Sequence, residues 1–104
     1  MSEPDLNSQI VLLRQRRIEA ATYARVLVER ELDARLLRLK IEVQLRDGNT
    51  KTDAEKLAKV DDRYLAHERE TARLSFELAS VEAEAEATLW GLRLQITVLE
   101  RVGV

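Results

Sequence analysis

The twelve residues Leu32–Val43, LDARLLRLKIEV, place apolar side chains on two opposite faces of a helix. At 100° per residue, the two apolar rows are nearly opposite, and charged residues fill the edges between them. One row is Leu32, Leu36, Leu39 and Val43, and the other is Ala34, Leu37, Ile41 and Leu45.

Around this stretch, the sequence predicts one long helix and then a turn. No Pro or Gly occurs from Leu6 to Arg46, and Ser2–Asp5, with a Ser cap and an early Pro, is typical of a helix start. The clear turn is Asp47-Gly48-Asn49. Gly48 suits the left-handed residue that ends a helix.

Two further helix starts follow the turn. Thr52 and Glu55 have the spacing of a capping box, which predicts a short helical segment. Asp61-Asp62 predicts a second cap, and the helical pattern then runs over 63–102 and stops at a glycine. We therefore expect a single all-α domain over 1–104, a long antiparallel helical hairpin with a short helical segment after the turn.

The last helix repeats the two-faced pattern, and a two-helix hairpin can cover only one face of each helix. An exposed apolar stripe of this size marks an interface, so we predict a homo-oligomer. Heterologous contacts would close into a ring or continue as a filament, whereas an isologous dimer would form a four-helix bundle. The inner row is Leu74, Leu78, Val81, Ala85, Leu89, Leu92, Ile96 and Leu99. The predicted interface residues on the opposite row are Phe76, Ala83, Trp90, Leu94 and Val98.

The composition argues against catalysis and against metal binding. The 104 residues contain no Cys and one His, His67, which we expect to be exposed or to cap a helix. No second metal ligand lies four residues after His67, and no Ser has a basic side chain placed to activate it. We therefore predict that the protein is not an enzyme and holds no metal or cofactor. The polar N-terminus does not resemble a secretory signal and no apolar run is long enough to span a membrane, so we expect a cytoplasmic protein.

The charge pattern leaves two interpretations open. Net charge is −2, but residues 1–46 carry nine basic against seven acidic residues, and residues 47–104 carry eight against twelve. The basic residues could contact phosphates, or they could belong to a salt-bridged surface with helical pairs such as Glu31–Arg35, Glu42–Arg46 and Glu55–Lys59. The candidate nucleic-acid-binding residues are Arg38, Lys40, Arg46, Lys51, Lys56 and Lys59.

Several short motifs, in this order, resemble the UvsY-type phage recombination mediators over roughly residues 30–104. They are Leu39-Lys40, Asp47-Gly48-Asn49, Asp62-Arg63-Tyr64, Trp90-Gly91-Leu92 and Glu100-Arg101-Val102-Gly103. The resemblance implies a ring of helical hairpins that binds single-stranded DNA. It also implies two protein partners: the strand-exchange recombinase, which it helps to load, and the single-strand-binding protein, which it displaces.

The resemblance also implies two residue roles. The family's Leu-Lys-x-Arg motif falls on Leu39-Lys40-Ile41-Glu42, so that Lys40 would contact phosphate, although Glu42 replaces the arginine. Trp90 would contribute to assembly of the oligomer. The competing hypothesis is a coiled-coil scaffold or adaptor with no nucleic-acid partner, which the acidic pI near 5.5 favours.

Overall fold

A computed structural model describes residues 5–103, and in that range the chain is all-helical with no strand. Three helices follow one another: α1 (Leu6–Leu45), α2 (Lys51–Lys59) and α3 (Asp62–Arg101). The predicted element order is confirmed. Gly91 lies inside α3 without interrupting it.

Short polar side chains set the helix starts. The Asp5 carboxylate accepts a hydrogen bond from the Ser8 amide at 2.7 Å, which lowers the pKa of Asp5 and caps α1. The predicted cap at Ser2 lies outside the described residues. At α3, the Asp61 carboxylate accepts from the Arg63 amide at 2.9 Å, so the prediction of a second cap is confirmed.

The predicted capping box at Thr52 is wrong. Thr50 is the cap of α2: its backbone is extended and its hydroxyl accepts from the Asp53 amide at 3.2 Å. Thr52 already lies in the first helical turn. The helix begins earlier than expected because Gly48, at φ +90°, turns the chain within a few residues of the end of α1.

The chain divides into two compact units, each of which contains part of α1 and part of α3. Unit 2 comprises residues 24–76 and includes the turn and α2. Its core is Ala34, Ile41, Ala54 and Ala58, of which Ile41 is fully buried. Unit 1 comprises the described parts of 1–23 and 77–104, and its core is Leu13, Val81 and Leu92.

Unit 2 is an antiparallel helical hairpin. Near its open end, Arg30 Nε of α1 donates to Thr71 Oγ1 of α3 at 3.3 Å. Near the turn, an Arg63 NH group of α3 donates to Gln44 Oε1 of α1 at 2.9 Å. Residues later in α1 therefore contact residues earlier in α3, which confirms the predicted antiparallel pairing within this unit.

Within each unit, the two apolar rows have opposite environments. In unit 2, Ile41 is 0% exposed, whereas Leu36, on the opposite row of α1, is 56% exposed. In unit 1, Leu92 is 5% exposed and Trp90, two residues earlier, is 58% exposed. The inner row loses its cover toward its end, where Ile96 is exposed. In α1 of unit 2 and in α3 of unit 1, one row therefore supplies the buried residues and the other faces outward.

Candidate nucleic-acid interface

The predicted basic residues all belong to unit 2, on three segments around the turn. Lys40 lies in the last turns of α1, Arg46 directly follows α1, and Lys51, Lys56 and Lys59 lie on α2. All five side chains are exposed. Their neighbours Ala54 and Ala58 are fully buried, so the packed face of α2 orients the charged face toward solvent.

These five cations have no ionic partner in the described part of the chain. No carboxylate oxygen of residues 5–103 lies within 4.0 Å of their nitrogens. The predicted helical pair Glu42–Arg46 is therefore not formed, and neither is Glu55–Lys59. A cation without a fixed partner can neutralise a phosphate without first breaking an ion pair.

Arg38 differs from the other five predicted residues. It is partly buried, and its Nε lies 3.7 Å from Glu42 Oε1, while the Glu42 side chain is only 9% exposed. The Arg38 guanidinium thus lies beside a buried carboxylate, and about a third of its side chain is exposed. Removing it would leave Glu42 buried without an ionic partner, a costly arrangement.

Sequence reasoning missed the buried position of Glu42. It lies next to the fully buried Ile41 and is itself 7% exposed. The helical wheel assigned it to a charged edge, and only the packing of the neighbouring elements covers it. Glu42 therefore has a role inside unit 2 and not on its surface.

Arg63 is held in a separate network at the start of α3. Its guanidinium forms a two-point ion pair with Asp61, with Nε–Oδ1 at 3.0 Å and a terminal nitrogen to Oδ2 at 3.1 Å, and it also reaches Gln44 on α1. The side-chain hydrogen bond from Arg63 lowers the pKa of Asp61, and the same bond raises the pKa of Arg63. This network ties the end of α1 to the start of α3.

Farther from the turn, an open cleft in unit 2 carries mixed charge. Its lining includes Glu31, Arg35, Tyr64 and Glu68. Glu31 and Arg35 do not form the predicted helical ion pair. With acidic and basic groups alternating around it, the cleft does not present a single sign of charge to a ligand.

His67 also departs from its prediction, because it is half-buried instead of exposed. Its backbone oxygen accepts from Arg30 at 3.4 Å and from the Thr71 hydroxyl at 3.0 Å. Its Nδ1 atom is covered and has no hydrogen-bond partner among the described residues. Arg30 thus joins the two helices of unit 2 at this point. No group of three or more His, Asp or Glu within 5–103 is arranged to hold a metal ion.

The predicted interface residues are all exposed. Phe76 is 72% exposed, and the other four lie on the outward face of α3 in unit 1. The Arg93 guanidinium carbon lies 5.5 Å from the centre of the Trp90 ring, within the range of a cation–π contact. The four residues of unit 1 are Ala83, Trp90, Leu94 and Val98.

Comparisons with known proteins return no similarity. No protein-family model, no curated protein sequence and no solved structure matches this chain significantly. Among the described residues, no helix is long and apolar enough to cross a membrane.

Proposed function

We propose that this chain is a non-enzymatic, self-assembling protein that binds single-stranded DNA and acts as a recombination mediator. The observation that carries the proposal is the group of exposed cations without ionic partners around the turn. We name this group the tip cations: Lys40, Arg46, Lys51, Lys56 and Lys59.

The tip cations suit a phosphate backbone better than a base edge. They are mostly lysines, which act as point charges, and no aromatic side chain stands among them. If all five contacted phosphates, the logarithm of the binding constant for a single strand would fall linearly with the logarithm of the salt concentration. The slope would be about −3.5 per subunit. The segment 47–62 also contains five acids, which lower this expectation: Asp47, Asp53, Glu55, Asp61 and Asp62.

Self-assembly strengthens the proposal. A group of five cations on one subunit is a modest binding surface, but an oligomer repeats it along one strand. Linked sites bind with an effective concentration that can raise overall affinity by orders of magnitude. Repetition would thus compensate for the weak affinity of a single subunit, whose net charge is −2.

The mediator role rests on the resemblance to the UvsY-type family. In that role, the protein would displace the single-strand-binding protein and help to load a strand-exchange recombinase, in a bacterial or phage-infected cytoplasm. Lys40 stands at the family's basic motif, whereas Arg38, which precedes it, is engaged with Glu42. Phosphate contact would then depend mainly on Lys40 and the lysines of α2.

A specific observation also favours a second function, a coiled-coil scaffold or adaptor. The outward apolar rows are more extensive than the charged group, and the net charge is negative. A scaffold would use those rows alone. It would show no affinity for nucleic acid.

The test is a titration of a dye-labelled single-stranded oligonucleotide, followed by fluorescence anisotropy at low and at physiological salt, with duplex as the comparison. We expect preference for the single strand and a steep loss of affinity with salt. The variant Lys51→Gln/Lys56→Gln/Lys59→Gln should lower the affinity for the single strand at least about tenfold. It should also make the slope of the logarithm of the binding constant against the logarithm of the salt concentration less steep by about two.

A matched control removes three positive charges elsewhere. Arg14, Arg25 and Arg69 are exposed and have no ionic partner in the described residues. Their triple change to Gln should leave affinity within about twofold, apart from a small non-specific effect of net charge. No binding at low salt by the assembled wild-type protein would exclude the mediator role and leave the scaffold.

A further inference from the structure

The outward row of α1 in unit 2 continues into a charged residue at each end. We name its four apolar residues the leucine ridge, and each of their side chains is more than half exposed: Leu32, Leu36, Leu39 and Val43. Their alternating spacing of four and three residues, extended by one step, reaches Glu29 before the ridge and Arg46 after it. The stripe is therefore acidic at one end, apolar in the middle and basic at the other end.

Both charged ends of this stripe are available to a partner. Glu29 and Arg46 are exposed, and neither has an ionic partner among the described residues. Arg46 directly follows α1, but its amide still donates to the Glu42 carbonyl oxygen at 3.0 Å, as in a helix. The helical spacing therefore holds along the whole stripe.

We infer that the leucine ridge of one copy of this chain packs antiparallel on the leucine ridge of a second copy. An alternating spacing of three and four residues is the repeat that lets two helices interdigitate along a seam. In antiparallel order, Leu36 lies opposite Leu39 of the second copy, and Leu32 lies opposite Val43. The next step places Glu29 opposite Arg46. A twofold axis repeats each pair, so apolar layers fill the middle of the seam and a Glu–Arg pair closes each end.

Charge selects the antiparallel order over the parallel one. In a parallel seam, Glu29 would lie beside Glu29 of the second copy and Arg46 beside Arg46, while Arg35 would approach Lys40 across the edge. The antiparallel seam replaces the end contacts with opposite charges. It also brings Asp33 within about two residues, roughly 3 Å of helical rise, of Lys40 on the facing edge. Opposite charges across a contact favour one register, and like charges disfavour the other.

The remaining charges near the ridge do not decide the direction. On the second edge of the antiparallel seam, Arg35 faces the position of Glu42, whose carboxylate is buried within its own unit. Glu31 lies one position farther from the seam. Asp33 with Lys40 and Glu29 with Arg46 are therefore the pairs on which the direction depends.

The outward row of α3 in unit 1 offers no matching charges. The same spacing, extended by one step at each end of its segment 83–94, reaches Ser80 and Thr97, which are uncharged. On the edge of that row, Glu82 and Glu86 have Arg17 beside them, so the edge carries both signs of charge. A second leucine ridge, in contrast, presents an opposite charge to each end of the first.

A contact of this kind is isologous: each copy uses the same surface, and the pair closes on itself. The inference deepens the self-assembly in the proposed function by naming its surface and symmetry. It rests on that self-assembly but not on DNA binding. Because Lys40 and Arg46 would be paired with acids at the contact, phosphate binding would then depend on the lysines of α2.

Disulfide cross-linking tests the direction, because the chain has no cysteine of its own. Leu32→Cys and Val43→Cys would be oxidised separately and as an equal mixture, without DNA, and analysed on a non-reducing gel. We expect a covalent dimer in the mixture and little in either variant alone. In an antiparallel pair, two cysteines at the same position lie about eleven residues apart along the seam, roughly 16 Å, which is too far for a disulfide.

Exchanging the charged ends tests the pairing at equilibrium. Glu29→Lys or Arg46→Glu, each alone, places like charges at both ends of the seam. We expect each variant to need about tenfold higher concentration than wild type for half-assembly, measured by sedimentation velocity without DNA. An equal mixture of the two variants should assemble like wild type, and so should one chain that carries both substitutions, because opposite charges then meet again.

Matched controls reverse charges outside the stripe. Glu19→Lys and Arg69→Glu change exposed residues that have no ionic partner among the described residues, and both variants should assemble like wild type. Circular dichroism would first verify that every variant keeps wild-type helicity.

Several results would overturn the inference. Cysteine variants that link to themselves as readily as to each other would indicate a parallel seam. Efficient linking of Leu32→Cys or Val43→Cys to Leu94→Cys would instead indicate that the ridge packs on α3. No linking in any combination, or no recovery of assembly when the charge variants are mixed, would also exclude the contact. A wild-type protein that stays monomeric would overturn self-assembly as well, while the oligonucleotide titration would still test DNA binding independently.

Discussion

Truncating the exposed tryptophan of α3 separates folding from assembly. Trp90 is 58% exposed in the single chain, and Leu92, two residues away, is 5% exposed. If a second copy covers Trp90, Trp90→Ala removes an interface contact but no core contact. Leu92→Ala, the matched control, removes a core contact in unit 1.

The expected change in the dissociation constant follows from the surface area of Trp90 that a second copy would cover. A tryptophan presents about 250 Å² at most, so the exposed part of Trp90 is about 145 Å². At about 25 cal/mol per Å², covering it contributes up to about 3.5 kcal/mol to each subunit contact. Its loss would raise the dissociation constant by up to a few hundred-fold, on the order of 10². Leu92→Ala should lower the free energy of unfolding by about 2–5 kcal/mol.

Light scattering coupled to size-exclusion chromatography would give the mass of each variant over a range of concentrations. Thermal unfolding, followed by circular dichroism at a dilution where wild type is dissociated, would give the stability of the single chain. We expect Trp90→Ala to lose mass and keep its melting temperature at that dilution. Leu92→Ala should melt earlier at every concentration.

Two results would refute the reasoning. If Trp90→Ala assembled at the same concentrations as wild type, no second copy would cover the outward row of α3 at this point. If Trp90→Ala instead lowered the melting temperature of the dissociated chain as much as Leu92→Ala does, Trp90 would be part of the chain's own core.

Further predictions concern the core and the helix caps. Ile41→Ala leaves a cavity at a fully buried position and should lower the free energy of unfolding, measured by urea titration, by about 2–5 kcal/mol. A decrease below about 1 kcal/mol, typical of truncating an exposed side chain, would contradict the core position of Ile41. Thr50→Ala should cost about 1 kcal/mol because it removes the cap of α2, while Thr52→Ala, inside the helix, should be neutral or slightly stabilising; equal effects on thermal unfolding would contradict the cap assignment. The pKa of Asp61 is lowered in the folded chain, chiefly by its side-chain hydrogen bond with Arg63, so its contribution is complete above the unfolded pKa of about 4 and is lost as pH falls through the lower folded value. Asp61→Asn should therefore melt earlier than wild type at neutral pH and approach it in acid, whereas a difference that is constant with pH would contradict the ion pair.

The helices and the turn could be predicted from local sequence. The forty residues of α1 contain no Gly or Pro and are rich in Leu, Ala, Arg and Glu, which favour a helix, and Gly48 suits the positive φ at the turn. The cap of α2 was misassigned by two residues. Thr50 and Thr52 both have the right side chain, and the choice depends on where the turn after α1 ends.

The candidate site was predicted in part. The basic residues of the turn region were identified from their position, and five of the six are exposed without ionic partners. The exception, Arg38, could not be recognised because its role depends on Glu42, which is buried by packing. A helical wheel assigns both to an edge and cannot decide which edge a neighbouring helix covers.

The sequence by itself determined the helices, the turn and the presence of two apolar rows on each long helix, because these follow from backbone preferences and a 3.6-residue period. For α1, only the tertiary structure decided which row is inside. Ile41 and Leu92 are buried while Leu36 and Trp90 are not, since one helix can cover only one side of its neighbour. The same packing placed Arg38 beside the buried Glu42 carboxylate and left the lysines of α2 exposed.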